Sequence, residues 1–333
     1  MKKALKILSV VCALVLVGAV ALGLTGIVGV TGYHYANAEM YTAGPTEIAG
    51  PVKNLDVDWT SGEVKIAYHS GSTVLIEETA NKALDADTQL RWWLDGDTLR
   101  IRYEKEGLRF HWNLEKYLTV TLPEGTVLGD VNLSATSGSL LVPAMVADTL
   151  NLGVTSGQIS ADACARKVDA GATSGNVVLR ISGKADSITA GSTSGKVDLE
   201  APDGSNTVKL SATSGSISAT VKETDSFKAG TTSGSIRAVL GQANQVEIGA
   251  TSGTVDVKAA AFDTMKIGVT SGSVTVALPA DIGFTARLNR TSGDLSYDLP
   301  LAKQGDTFIC GDGRATLDIG TTSGNIRLVE LAQ

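Results

Sequence analysis

The triplet Thr-Ser-Gly occurs eleven times in this 333-residue chain, beginning at Thr60, Thr136, Thr155, Thr173, Thr193, Thr213, Thr232, Thr251, Thr270, Thr291 and Thr322, and most copies follow one another at a nearly constant interval. A beat near 19 residues is too short for two helices and their connection, and it marks a chain that winds short strands into stacked, nearly identical coils. Aligned on the triplet, apolar or small residues fall five, three and one positions before the Thr, then two and four positions after the Gly. Around Thr155 the set is Leu150, Leu152, Val154, Ile159 and Ala161; around Thr251 it is Val246, Ile248, Ala250, Val255 and Val257. Such alternation predicts a half-buried strand on each side of the triplet. The triplet itself is then a corner, where Gly can take positive φ and the hydroxyls can serve backbone groups.

The expected fold is therefore all-β: a parallel β-solenoid, or β-helix, with about 19 residues per rung. An antiparallel meander with the triplets as hairpin turns is the rival. It fits less well, because hairpins favour Asn-Gly or Asp-Gly and because like residues recur here in columns. Two features interrupt the columns. Arg290 stands in the slot that is Val154 or Val269 elsewhere, and Gly recurs two positions before the Thr at Gly153, Gly171, Gly191, Gly230, Gly249, Gly268 and Gly320. A repeated strand Gly implies close approach, either of a neighbouring segment or of a ligand.

Residues 7–30 carry no charge, with Lys2, Lys3 and Lys6 before them and no Lys or Arg after them until Lys53. A run of that length spans about 30 Å of hydrocarbon as one transmembrane helix. The positive-inside rule puts the N-terminal tip in the cytoplasm and the rest outside. Secretory apolar regions are shorter, so an uncleaved signal anchor is expected. Ala36-Asn37-Ala38 resembles a peptidase site, and cleavage near Ala38 would make the protein secreted instead. Cys12 lies inside the apolar run behind Val10 and Val11, which does not suit a lipoprotein. Cys164 and Cys310 are expected to be unpaired.

The expected organisation is a cytoplasmic tip and anchor over residues 1–32, a linker over 33–52, a β module with an aromatic cap over 53–130, and the repeat solenoid with a C-terminal cap over 131–333. Two Gly-Pro pairs make the linker read as a tether. Between Thr60 and Thr136 lies a gap as long as four regular periods, which rungs lacking the triplet or an inserted hairpin must fill. Asp95-Gly96 between apolar runs gives the hairpin signal. The interval from Thr291 to Thr322 also exceeds the regular period and implies a second insertion between 297 and 314.

Beyond the anchor the chain holds 25 basic and 35 acidic residues, a net charge of −10, which argues against nucleic acid as a partner. Lys209, Lys228, Lys266 and Arg287 share one outward position, but Glu247 interleaves them and a solvated face is expected. All four tryptophans precede the regular repeats. They read as a bulky cap over the end of the stack, or as a stacking platform for sugar or peptide. On the second reading Trp92, Trp93, Tyr103 and Trp112 are the candidate ligand-binding residues.

Leu55-Asp56-Val57 with Gly62, Leu118-Thr119-Val120-Thr121-Leu122-Pro123 before the coils, many Ser-Gly rungs, Gly311-Asp312-Gly313 and the closing Ile319-Gly320-Thr321-Thr322-Ser323-Gly324-Asn325-Ile326 together resemble the bacterial putative-adhesin family of β-strand-repeat domains, a domain of unknown function. The resemblance covers roughly residues 50–330. It implies an exported bacterial β-solenoid, frequently behind one membrane helix, and it brings no catalytic residues.

Catalytic residues are needed once, whereas the hydroxyls here recur in every rung. Gly153-Val154-Thr155-Ser156-Gly157 imitates a nucleophile elbow with Thr at the wrong place. None of His34, His69 and His111 has a metal-ligand neighbour at a suitable spacing. Paired carboxylates on adjacent rungs would indicate a glycan-cleaving enzyme, but Asp198 and Asp256 fall three rungs apart, about 14 Å, against the 5 to 9.5 Å that such chemistry uses. The sequence thus points to a non-enzymatic, adhesin-like binding or scaffolding module of the bacterial envelope, without cofactor or metal. Its expected partners are an envelope or surface protein or glycan, and the membrane through the N-terminal helix. The alternatives are a secreted carbohydrate-active β-helix enzyme and an envelope-stress sensor with a membrane partner.

Overall fold

The computed structural model describes residues 33–107 and 113–331. The expected anchor therefore lies outside the described residues, as does Trp112, and among the described residues no helix is long and apolar enough to cross a membrane. Strands dominate the described residues, among which there is one 3-10 turn, at Ala38–Met40. The chain forms two compact units that meet in sequence at Gly175 and Asn176.

In the first unit the strand Asn54–His69 holds the centre. On one side its two halves pair in parallel with Thr98–Arg102 and Lys116–Pro123, placing Leu55 beside Leu99 and Val64 beside Leu118. On the other side it pairs in parallel with the start of the long strand Val127–Ile181, Leu55 beside Val131 and Val64 beside Leu140. The first triplet rung thus lies between two later ones. The hairpin signalled by Asp95-Gly96 is present, with Arg91–Asp95 antiparallel to Thr98–Arg102. Val74–Ala80 runs antiparallel on Lys116–Pro123. The long interval between Thr60 and Thr136 therefore holds one rung and its antiparallel cover rather than several rungs.

Residues 33–52 are not a tether. Thr42–Ala43 pairs with Arg91–Asp95 and Thr46–Ile48 with Val74–Ala80, while Tyr41 and Ile48 are buried. Gly44-Pro45 turns the chain between these short strands and Gly50-Pro51 follows the second of them, while the two buried apolar side chains hold the segment against the cap.

The second unit is a parallel in-register stack. One inward column runs Val177, Val197, Ile217, Ile236, Val255 and Val274, each beside the next. The column then leaves chain order. Val274 is followed by Ile326, and only beyond Ile326 stands Leu295. The same exchange occurs in the neighbouring strand, where Ile267 pairs with Ile319 and Ile319 with Leu288. The chain skips one level after Leu278, builds the outermost rung with Phe284–Ser292 and Leu295–Tyr297, reverses through a hairpin of Ala302–Gln304 and Thr307–Cys310, and fills the vacated level with Ala315–Ser323 and Ile326–Glu330. The hairpin is the insertion expected between residues 297 and 314. Cys164 is exposed and Cys310 buried, and both are free thiols.

The alternating residues form the core as their periodicity requires: Leu150, Leu152, Val154 and Ile159 in the first unit, and Val246, Ile248, Ala250, Val255 and Val257 in the second, are all at most 3% exposed. At the corners Gly is required twice over. Gly253 has φ +142°, and a Cβ there would overlap the carbonyl oxygen of Gly234 one level away; Gly234 stands in the same relation to Gly215. Main-chain bonds between levels, such as Gly253 N–H to Ser271 O at 2.9 Å and Gly234 N–H to Ser252 O at 3.0 Å, secure the corner. The triplet hydroxyls contribute less than expected, an instance being Ser292 Oγ donating to Thr322 O at 3.3 Å.

Candidate functional site

The aromatic residues of the first unit fall into two groups. In the interior, Trp59 and Tyr103 meet edge to face at 5.0 Å. Both are buried, and between them and the antiparallel cover sits Lys116, whose side chain is fully enclosed. Its ammonium meets Glu78 Oε1 at 2.7 Å, donates to the carbonyls of Thr88 and Tyr103, and lies over the rings of Trp59 and Tyr103. Glu78 in turn accepts the Leu90 N–H at 3.0 Å. Burial pushes the Lys116 pKa down, while the Glu78 carboxylate opposes that shift. An ammonium has three protons, and here three oxygens accept them, which is the condition for holding a charge in a core.

Tyr103 is therefore not available for stacking. Its ring is 3% exposed, its hydroxyl donates to Leu114 O at 3.1 Å, and burial raises its pKa well above the usual phenol range. The second group lies nearer the surface. Rings of Tyr33, Tyr35, Tyr41 and Trp93 follow one another at centroid distances of 5.4, 4.8 and 5.7 Å. Arg100 lies over Trp93 and Arg102 over Tyr41, and both guanidiniums reach Asp56, at 2.6 and 3.0 Å. Trp92 and Trp93 are half-buried on one strand. Of the three candidates among the described residues, these two keep part of their surface.

The second unit carries a different feature. A groove of about 430 Å³ crosses its second-strand face, lined by the short hydroxyl residues Ser216, Ser218, Ser235, Thr254, Ser273 and Thr275 together with Lys196, Arg237 and Asp256. It exists because short side chains occupy the positions after the corner. At the flanking levels Asn takes that place and reaches over to the next amide, Asn176 Oδ1 accepting Lys196 N–H and Asn325 Oδ1 accepting Asp294 N–H, both at 2.9 Å. Charges along the groove are paired: Lys196 with Asp198, and Arg237 with Asp256 at 3.7 Å. Asp198 and Asp256 remain three levels apart, about 14 Å, through Ser218 and Arg237. Among the described residues no group of three His, Cys, Asp or Glu side chains is placed to hold a metal ion.

On the first-strand face, Lys228 meets Glu247 at 3.0 Å. The exchanged level places Asp318 between Lys266 and Arg287. From Lys228 onward the apparent basic stripe is thus an alternating ladder of a solvated face, while Lys209 stands beside Lys228 as a like charge. Arg290 is explained by the same exchange. Its rung is the outermost one, so its inward slot is open at the end of the stack, and its Nε donates to Gly293 O at 3.0 Å.

With this architecture in view, the profile of the family described as Toastrack DUF4097 matches residues 52–329. The chain belongs to the Toastrack DUF4097 family. No curated protein matches it. Similar solved structures are a putative cell adhesion protein from Clostridium sporogenes, 10% identical over 86% of this chain and 100% of that one with a TM-score of 0.20, and a putative adhesin from Bacteroides fragilis, 12% identical over 86% and 97% with a TM-score of 0.39. Superpositions that loose carry no argument about this Toastrack chain. The buried Lys116–Glu78 pair escaped the sequence reading because Lys116 opens an apolar run, where a charged residue ordinarily marks the solvent side of a strand start. The groove left a faint signal, the run of Ser216, Ser235, Thr254 and Ser273 one place after four successive corners.

Proposed function

We propose that this Toastrack protein is a non-enzymatic, adhesin-like binding or scaffolding module, held outside the cytoplasmic membrane of a bacterium by residues 7–30. The observation that carries the binding role is the groove over Ser216, Ser235, Thr254 and Ser273: the same short hydroxyl chemistry repeats level after level, flanked by internally paired charges. A repeated polar surface suits an extended ligand that meets it many times weakly, such as a glycan or an extended protein segment of the envelope. Retention of the anchor is supported by Tyr33 and Tyr35, which precede the candidate cleavage site and yet are built into the cap, Tyr35 donating to Glu104 O at 3.2 Å.

The test is capture of isolated wall glycan and envelope proteins by the protein and by a Ser235→Trp, Thr254→Trp variant with a filled groove. Capture by the wild type and its loss in the variant are expected. Equal capture by both would remove the groove from the account, and recovery of the intact protein from the cytosol would remove the envelope.

A further inference from the structure

The first described residue is already fixed in place. Tyr33 exchanges two main-chain bonds with Gly107, N–H to O at 3.0 Å and the reverse at 2.9 Å. Its hydroxyl donates to Asp58 O at 3.3 Å and accepts from the Tyr103 N–H at 3.3 Å. The apolar run read as the anchor ends at Val30, so only Thr31 and Gly32 separate it from this anchorage. Three residue steps reach at most about 11 Å. The headgroup layer on one side of a bilayer is itself about 5 to 7 Å thick.

We propose that the cap of the first unit rests directly on the outer membrane-water interface, with the turn Ala38–Met40 and the Tyr33–Gly107 bridge in the headgroup layer. This rests on residues 7–30 being a retained membrane anchor. What the cap offers there suits a lipid surface. Met40 is 53% exposed, and the half-buried rings of Tyr35 and Trp93, joined through the buried Tyr41, are amphipathic side chains of the kind enriched at membrane interfaces. The turn Ala38–Met40 carries one acid, the exposed Glu39, and no base, so the contact does not call for anionic lipid.

The experiment uses the full chain in vesicles of neutral phosphatidylcholine, with Cys12, Cys164 and Cys310 changed to Ser and Met40→Cys labelled with an environment-sensitive fluorophore. Resistance to carbonate extraction first establishes insertion. Lipids carrying a headgroup nitroxide are then expected to quench the label at least two-fold. In a second variant with 20 Gly and Ser residues inserted between Gly32 and Tyr33, a reach of about 25 Å, the quenching is expected to fall by more than half. Inserted protein without quenching at position 40 would overturn the proposal while leaving the anchor intact. Full extraction by carbonate would overturn the anchor, and the proposal with it. Undiminished quenching after the insertion would show that the cap binds lipid by its own affinity, and would overturn the short spacer as its cause.

Discussion

The two ends of this Toastrack chain meet the same difficulty in opposite ways. Both abandon chain order at the last level: Asn54–His69 lies between strands that follow it, and Ala315–Ser323 enters between strands that precede it. At the N-terminal end, two antiparallel strands cover the outermost rung and enclose Trp59, Tyr103 and the Lys116–Glu78 pair. At the C-terminal end, Thr307–Cys310 pairs only with Phe284, Thr285 and Ala286; further along that rung Leu288 and Leu295 are half-buried, and residues 289–292 are exposed with Arg290 in an inward slot. An exposed edge of a parallel stack invites further pairing, and an inward-pointing charge is a known guard against it. One end is closed by burial and the other by charge.

The largest effect should come from removing the inserted level. Ending the chain at Gly313 leaves Val255–Ser271 and Phe284–Ser292 without their shared neighbour, and loss of a cooperative thermal transition in the second unit is expected. Retention of that transition would show the level to be dispensable. Next stands the buried pair: Glu78→Gln strands the Lys116 ammonium and should cost about 3 to 5 kcal/mol in denaturant unfolding. Lys116→Met with Glu78→Leu should cost much less, because no charge is left uncompensated.

The comparison sharpens on one column. Val269→Arg, at a position 1% exposed, buries an unpaired charge and should cost at least about 3 kcal/mol. Arg290, two levels further along the same column, should tolerate Val with less than about 0.5 kcal/mol of change. Its signature would instead be self-association of Arg290→Val in sedimentation velocity, where the wild type stays monodisperse. A monodisperse variant would end the guard reading. The smallest effect belongs to Asp318→Lys, which places like charges beside Lys266 and Arg287 and should cost about 0.5 kcal/mol, lessened by salt.

Much of this was legible in the sequence. Side-chain alternation on either side of each triplet named the core, and Asp95-Gly96 announced its hairpin, because those signals are local. The level exchange was not legible, since the rung around Thr291 carries the same pattern as its neighbours and periodicity does not record which level stacks on which. Arg290 looked like a fault in the middle of a stack for that reason. Residues 33–52 looked like a tether because Tyr41 and Ile48 are too few to signal burial without the cap beside them. Trp59 and Tyr103 were identifiable as aromatics but not as the walls around a lysine, a contact that joins residues 57 positions apart.

Level order at the C-terminal end is the claim on which the exposed rung, the guard and the charge ladder all depend, and disulfide trapping in a chain free of native cysteines measures it. Lys266→Cys with Asp318→Cys, and Asp318→Cys with Arg287→Cys, join adjacent levels about 4.8 Å apart and should form bridges readily. Lys266→Cys with Arg287→Cys spans two levels, about 9.6 Å, and should not. A ready bridge between positions 266 and 287, with none from either to 318, would show the levels stacked in chain order and contradict the account.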